Sequence, residues 1–265
     1  MSQPSPDPAS RRLGANRLAE VFARQGFMLG TFLEIPSPQV VEILGLAGFD
    51  FVVIDREHGT IDLETTENLI RAAATTGICP LVRVAACDPV LIRQPLDMGA
   101  AGIHVPQIES AEQARQAVRA AKFFPAGERG LQPYVRAASY RAFPTADFLR
   151  QTNEEVFIVL HIEGTRGVAA FEEISQVEGV DVAFLGPYDL SQSLGIPGMV
   201  NSPLVREKMA EIVAAAKGKR LAIGTFCDGV EAALEWKALG VTYLAVSLDA
   251  GLLLGAARDV VSRVK

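Results

Sequence analysis

The sequence has no run of basic residues and few aromatic residues, and its net charge is −6. Nucleic acids and anionic membranes attract proteins through positive charge, so this composition argues against both as partners. The mean hydropathy is +0.22. Even so, no stretch approaches the roughly 18–20 uninterrupted apolar residues that a membrane-spanning helix needs.

Cysteine is also scarce. Cys79, Cys87 and Cys227 form no CxxC pair, and three cysteines cannot all be joined in disulfides. We therefore expect free, structural thiols and a cytoplasmic location, where the environment is reducing.

Residues 1–12 are rich in proline and serine and lack the apolar segment of a signal peptide. The expectation is a disordered tail over residues 1–15.

What is present is a regular alternation of β-rich and helix-forming segments. The β-rich runs lie at 28–33, 50–55, 80–84, 102–106, 156–163, 181–186, 221–226 and 242–247. Helical periodicity is found between most of them, at 38–47, 64–76, 88–98, 111–122, 203–217 and 229–239.

Strands that alternate with helices indicate a parallel sheet covered by helices. Eight such units fit a closed (β/α)8 barrel, and a doubly wound open sheet is the alternative. No strand is followed by a GxGxxG or GxxxxGK[ST] turn, which favours the barrel. We predict an α/β fold with a single (β/α)8 TIM barrel over residues 16–265. The segment 123–150, rich in proline, arginine and aromatic residues, is predicted as an inserted lid or oligomer contact.

Two carboxylates follow successive predicted strands, at the end of the barrel where such enzymes build their active sites. Glu163 comes after the fifth strand and Asp189 after the sixth. Either one alone could be a helix cap. As a neighbouring pair they would repel each other unless a cation lay between them. Oxygen ligands with open water positions suit a hard divalent cation, so the pair favours a metal site.

Charged residues also end the second and third strands. Arg83 lies near the end of an apolar run and needs an anion. It could pair with Asp55 or Glu57, or it could grip a carboxylate or keto oxygen of a substrate. His58 is either an ordinary loop histidine or a general acid and base that Asp55 and Glu57 orient.

Two further histidines lie within predicted strands. His161 is in phase with Glu163, so both side chains point to the same side of the strand. It is interpreted as a support for the metal site or as a donor that faces the ligand. His104, in the fourth strand, is interpreted as a structural residue of the barrel.

The lysines lie outside the predicted strands. They stand on helices, at helix ends or at the C-terminus: Lys122, Lys208, Lys217, Lys219, Lys237 and Lys265. A Schiff-base aldolase needs a desolvated lysine inside the barrel. If this barrel makes carbanions, a metal ion rather than an imine must stabilise them.

The chain resembles the HpcH/HpaI aldolases over about residues 27–255. The resemblance is carried by runs that include IDREHG, LVRV, HIEG and GPYDLSQSLG. It implies a metal-dependent class II aldolase that reversibly cleaves a 4-hydroxy-2-oxo acid to an aldehyde and pyruvate or hydroxypyruvate, through a metal-stabilised enolate. Mg²⁺ or Mn²⁺ is the implied cofactor, with Co²⁺ as a third candidate. The family also implies a homo-oligomer, a hexamer built as a trimer of dimers.

The resemblance assigns the metal and donor sites residue by residue. Glu163 and Asp189 match the metal ligands of the family, and Arg83 matches the arginine that contacts the pyruvyl donor. The donor carboxylate is expected on the backbone N–H groups of Tyr188 and Asp189, at a helix N-terminus.

The resemblance also assigns the proton-transfer residues. His58 matches the proposed acid and base, and Asp55 matches the acidic residue that orients it. Asp97 matches an aspartate that assists this histidine from a neighbouring subunit. The family often carries glutamine where this chain has His161, which is therefore assigned to substrate binding.

Two other functions stay open from the sequence. A lyase that acts on a CoA thioester of the citramalyl-CoA type would need a basic groove for the CoA phosphates, and the arginines are only scattered. A barrel that binds a 2-oxo acid without catalysis would be expected to lack a metal ligand or the arginine, and neither is missing.

Overall fold

The computed structural model describes residues 17–142 and 144–265, so the tail predicted at 1–15 lies outside the described residues. Eight parallel strands form a closed barrel in chain order, and the first strand pairs with the last. The predicted (β/α)8 TIM barrel is thereby confirmed. The strands are β1 (Met28–Leu33), β2 (Phe51–Asp55), β3 (Cys79–Arg83), β4 (Gly102–Val105), β5 (Phe157–Ile162), β6 (Val182–Leu185), β7 (Ala222–Cys227) and β8 (Tyr243–Leu248).

The helices cover the outside of the barrel, and the six predicted ones are found within two residues of their expected bounds. Over the part of the chain that the structure describes, no helix is long and apolar enough to cross a membrane. The helices are α1 (Leu18–Gln25), α2 (Pro38–Ala47), α3 (Leu63–Thr76), α4 (Pro89–Asp97), α5 (Ala111–Ala121), α6 (Thr145–Glu155), α7 (Thr165–Ala169), α8 (Phe171–Ile174), α9 (Pro187–Ser193), α10 (Pro203–Ala215), α11 (Val230–Leu239) and α12 (Asp249–Val264).

The core has an inner and an outer layer because strand side chains alternate between the two faces. On β2, Phe51 and Val53 belong to the cluster inside the barrel. Val52 and Ile54 belong to a cluster between the strands and the helices. Both faces of the strand are therefore buried, which explains why the strands are continuous apolar runs in the sequence.

The inserted segment 123–150 packs against the end of α4. Arg129 is buried and pairs with Asp97 of α4 at 2.7 Å. Arg136 donates a hydrogen bond to the backbone oxygen of Met98 at 3.0 Å. A small apolar cluster of its own adds to these contacts. Both arginines are thus engaged within the chain, and the role of the segment as a lid or oligomer contact stays a prediction.

Candidate active site

The alternation of the strands brings the predicted polar residues to one rim of the barrel. Alternate residues of β2, β3 and β5 fill the barrel interior until close to the C-terminal end of each strand. The next inward positions on these strands are Asp55, Arg83 and His161, and Glu163 follows two residues later. The apolar part of each strand thus sets the direction in which the polar end points.

Arg83 is held by carboxylates and lies over an aromatic ring. Its Nε and Nη2 donate to the two oxygens of Asp55 at 2.8 and 2.6 Å, and its Nη1 pairs with Glu57 at 3.2 Å. The guanidinium carbon is 4.8 Å from the centre of the Phe32 ring. Two of the five guanidinium N–H groups bind Asp55, and three do not. Arg83 therefore forms the expected ion pair and still has donors for a substrate oxygen.

Burial and charge compete in this ion pair. Burial by itself would raise the pKa of Asp55, but the hydrogen bonds and charge of Arg83 outweigh it and lower that pKa. Burial would likewise lower the pKa of Arg83, and its bonds to Asp55 raise it instead. For Glu57, the effect of burial is larger than that of the positive charge of Arg83, so the pKa of Glu57 is raised. The pair that faces the barrel is thus fixed in its charged form.

His58 lies on the loop after β2, with 60% of its side chain exposed. Its Nε2 is 3.8 Å from an oxygen of Glu57. Asp55 instead accepts hydrogen bonds from the backbone N–H groups of Glu57 and His58, at 2.9 and 3.4 Å. Asp55 therefore orients His58 through the main chain, and the carboxylate near its imidazole is Glu57.

Each oxygen of Glu163 has its own partner. Oε1 accepts a hydrogen bond from the backbone N–H of Gln107 at 2.8 Å, and Oε2 lies 3.2 Å from Nδ1 of His161. Burial would raise the pKa of Glu163, but its contact with His161 and the hydrogen bond from the backbone of Gln107 outweigh it and lower that pKa. A Cβ at Gly186 would lie 2.6 Å from Oε2, so the glycine makes room for the carboxylate.

Asp189 completes the pair of carboxylates from the first turn of α9. Its pKa is raised by burial and then by the charge of Glu163, so the two groups repel each other. Its carboxylate forms no hydrogen bond or ion pair with the residues that the structure describes. The same residues contain no group of three or more histidine, cysteine, aspartate or glutamate side chains that could hold a metal ion. The two carboxylates fit a divalent cation that takes its other ligands from water and substrate oxygens.

Two other predicted residues have partners away from these carboxylates. The hydroxyl of Tyr188 donates to Asp228 at 2.7 Å, which raises the pKa of Tyr188 to about 12. Its backbone N–H lies in the first turn of α9, where helix geometry leaves such groups unpaired. Asp97 pairs with Arg129 within its own chain, so its assistance to a histidine of another subunit stays a prediction.

A chain of buried polar groups continues from Glu163 into the barrel. Nε2 of His161 lies 2.9 Å from Nδ1 of His104, and Nε2 of His104 lies 2.8 Å from the hydroxyl of Tyr243. Sequence reasoning treated His104 as structural and did not single out Tyr243. A signal for the first contact was present, because His104 and His161 are inward residues of neighbouring strands. No pattern in the sequence pointed to Tyr243.

The fold and this rim define a (β/α)8 barrel enzyme whose site suits a divalent cation and an anionic substrate. The model of the HpcH/HpaI aldolase/citrate lyase family matches residues 28–256, and the chain belongs to this family. The resemblance found in the sequence is confirmed.

Relatives of known name cover most of the chain. A 2-dehydro-3,6-dideoxy-6-sulfogluconate aldolase from Pseudomonas putida is 36% identical over 242 residues, which are 91% of this chain and 94% of the relative. A hydroxypyruvate/pyruvate aldolase from Deinococcus radiodurans is 35% identical over 238 residues, 89% of this chain and 85% of the relative. These relatives confirm the prediction of an aldolase.

Solved structures agree with the fold and the family. An HpcH/HpaI aldolase/citrate lyase family protein from Burkholderia cenocepacia has a TM-score of 0.88 and 34% identity, over 94% of this chain and 99% of its own. The citrate synthase SbnG has a TM-score of 0.83 and 33% identity, over 92% and 96%. Similar chains thus carry out more than one carbon–carbon reaction, so the substrate must be argued from the site.

Proposed function

We propose that this aldolase is a metal-dependent enzyme that reversibly cleaves a 4-hydroxy-2-oxo acid to an aldehyde and pyruvate or hydroxypyruvate. The observation that carries the proposal is the placement of Arg83, Glu163 and Asp189 on one rim, close enough for their charges to influence one another. A paired carboxylate site beside a fixed guanidinium matches the carboxylate and keto oxygens of a 2-oxo acid. The names of the relatives support the choice of donor.

Glu163 and Asp189 would hold the divalent cation, for which Mg²⁺ and Mn²⁺ are the first candidates and Co²⁺ the third. When bound, such a cation supplies a Lewis acid that polarises the 2-oxo group. The mutual repulsion of the two carboxylates and the room that Gly186 leaves for Glu163 support this assignment.

Arg83 and the start of α9 bind and orient the donor. The guanidinium N–H groups that do not bind Asp55 donate to the 2-oxo oxygen, where negative charge develops as the C3 proton leaves. Because Asp55 and Glu57 fix the guanidinium, this stabilisation needs no rearrangement during the reaction. The backbone N–H groups of Tyr188 and Asp189 hold the carboxylate of the donor.

His58 moves the protons. In the synthetic direction its imidazole removes a proton from C3 of the donor, the resulting enolate attacks the aldehyde carbonyl, and the imidazolium gives the proton to the new alkoxide. In the cleavage direction the same group takes the proton of the 4-hydroxyl as the C3–C4 bond breaks and then gives it to C3 of the enolate. The exposure of His58 allows its proton to exchange with solvent between turnovers.

Proton exchange tests the proposal without knowledge of the aldehyde. We expect the protein loaded with Mn²⁺ or Mg²⁺ to exchange the methyl protons of pyruvate in D₂O, followed as loss of the proton NMR signal. EDTA treatment and Glu163→Ala should each abolish the exchange. Glu112 is an exposed carboxylate on α5, so Glu112→Ala is the matched control and should leave the exchange rate unchanged.

The negative outcome is equally defined. An absence of exchange with both pyruvate and hydroxypyruvate in the metal-loaded protein would contradict donor activation. The thioester lyase or the non-catalytic barrel that binds a 2-oxo acid would then be the better assignment.

We also propose that the enzyme is a homo-oligomer, a hexamer formed as a trimer of dimers. Its support is the apolar surface of α12, of which only Asp249 is buried. The exposed apolar side chains of this helix are Leu253, Leu254, Val260, Val261 and Val264. An apolar patch of this kind is typical of a surface that another protein covers.

A further inference from the structure

The side chains of Glu163, His161, His104 and Tyr243 form one continuous hydrogen-bonded chain from the rim into the barrel. The three contacts measure 3.2, 2.9 and 2.8 Å in that order. Each of the four side chains is at most 5% exposed. The proposed mechanism uses only the first of them.

The aromatic residues around the chain fix the planes of both imidazole rings. The ring of Phe184 stacks on His161, with centroids 4.6 Å apart and an interplanar angle of 29°. The edges of Phe32 and Phe184 meet His104 at 5.9 and 5.5 Å. With the rings held in place, what the protein must still specify is which nitrogen of each ring carries the proton.

The direction of the chain follows from its two ends. Glu163 as a carboxylate only accepts, so Nδ1 of His161 donates to it. Burial lowers the pKa of His104 well below its usual range, so this ring carries one proton. Burial also raises the pKa of Tyr243 well above its usual range, so its hydroxyl keeps its proton and can donate. Tyr243 then donates to Nε2 of His104, and Nδ1 of His104 donates to Nε2 of His161.

We propose that Tyr243 and His104 are positioning residues of the aldolase, which set the tautomer of His161 and so hold the Glu163 carboxylate in the orientation that binds the metal. This inference rests on the proposed function, in which Glu163 is a metal ligand. The backbone N–H of Gln107 holds Oε1 of Glu163, and the hydrogen-bonded side chains therefore fix the position of the second oxygen, Oε2. Groups that orient a metal ligand typically change metal affinity by about 10–100-fold when they are removed.

Tyr243→Phe tests the end of the chain that lies farthest from the metal site. The substitution removes only the hydroxyl and keeps the ring that stacks on Phe51 at 4.2 Å. Loss of one hydrogen bond should weaken Mn²⁺ binding by about three- to tenfold, as measured by electron paramagnetic resonance titration. Val182→Ala removes core volume from the same interior cluster but none of the four hydrogen-bonding groups, and it should leave the Mn²⁺ affinity unchanged.

Nitrogen NMR reports the tautomers directly and does not depend on activity. The sequence has three histidines, so the solid-state ¹⁵N spectrum of histidine-labelled protein is simple to assign by substitution. We expect His161 and His104 each to carry a proton on Nδ1 and none on Nε2. In Tyr243→Phe, His104 should become a mixture of tautomers. Two protonated nitrogens on His161, or spectra that Tyr243→Phe leaves unchanged, would overturn the inference.

The two proposals fail in different ways. Wild-type protein that neither binds Mn²⁺ nor exchanges pyruvate protons would overturn the metal-dependent function, and this inference with it. Wild-type protein that does both, with an equal Mn²⁺ affinity in Tyr243→Phe, would overturn only the positioning role.

Discussion

At the scale of single residues, the site is built on an arginine whose charge is neutralised within the rim. Asp55 is fully buried, and a buried carboxylate without a partner has a large desolvation cost. Arg83 removes that cost by binding both of its oxygens. The sequence left two interpretations of Arg83 open, a structural ion pair and a substrate contact. The geometry makes them compatible, because the guanidinium has more donors than Asp55 uses.

The identity of residue 161 gives a prediction at this scale. Glutamine offers an amide N–H for Glu163 and a carbonyl that accepts from His104, so His161→Gln preserves both links of the chain. We expect this variant to keep its Mn²⁺ affinity and pyruvate exchange rate within about threefold. His161→Leu offers neither group and should lose about 10–100-fold in both.

The comparison of these two variants separates hydrogen bonding from packing. Leucine fills much of the same space, so a loss specific to His161→Leu reports the missing donor and acceptor. Equal losses in both variants would show that only an imidazole serves at this position and would contradict the expected rescue.

At the scale of secondary-structure elements, Asp181 ties three strands together at the end of the barrel opposite the site. Its side chain accepts from the backbone N–H of Ile158 at 2.8 Å, and its backbone oxygen accepts from Ala222. Burial raises the pKa of Asp181 from 3.8 to about 6, against the hydrogen bond from Ile158 and the charge of Lys122. The folded protein therefore keeps this residue protonated up to about pH 6, whereas the unfolded chain releases the proton at lower pH.

The sign of the resulting pH dependence follows from this raised pKa. Between about pH 4 and pH 6 the folded state holds a proton that the unfolded state has released, so the contribution of Asp181 to stability falls as the pH rises. Asp181→Asn keeps an acceptor for Ile158 without a charge. Relative to wild type, its melting temperature should rise across this window and then stay level. If the melting temperatures of the two proteins change in parallel from pH 4 to pH 8, the assignment is contradicted.

The strands and much of the rim were predictable from the sequence for one physical reason. Parallel barrel strands are buried on both faces, so each one is a short, continuous apolar run that ends where the chain reaches solvent. Alternation along those runs then places Asp55, Arg83 and Glu163 on the inward side of the rim. The placement needed no knowledge of how distant strands pair.

The interior chain depended on information that the sequence does not display. Tyr243 meets His104 across the barrel only because the sheet closes, and a tyrosine at the start of an apolar strand looks like any core residue. The sequence also left open whether Asp55 or Glu57 would be the main partner of Arg83, and the answer follows from the pairing of Asp55 with Arg83 across β2 and β3. Both facts depend on strand pairing.

At the scale of the whole molecule, the apolar surface of α12 predicts assembly. A helix of 16 residues with one buried side chain leaves most of its apolar side chains uncovered, and another surface is needed to cover them. We expect light scattering after size-exclusion chromatography to give a mass that is a multiple of 28.4 kDa. Substitution of Leu253 and Val261 together by serine should reduce that mass by weakening the apolar contact.

A matched variant distinguishes this contact from a general effect of surface polarity. Leu204 is an exposed leucine on α10, and Leu204→Ser should leave the mass unchanged. A wild-type mass of one chain would contradict the assembly itself, and an unchanged mass in the double variant would contradict the role of α12. Because Asp97 is expected to act on His58 of a neighbouring subunit, the double variant should also lose pyruvate exchange in step with its mass. Dissociation with full exchange activity would show that each barrel holds a complete site.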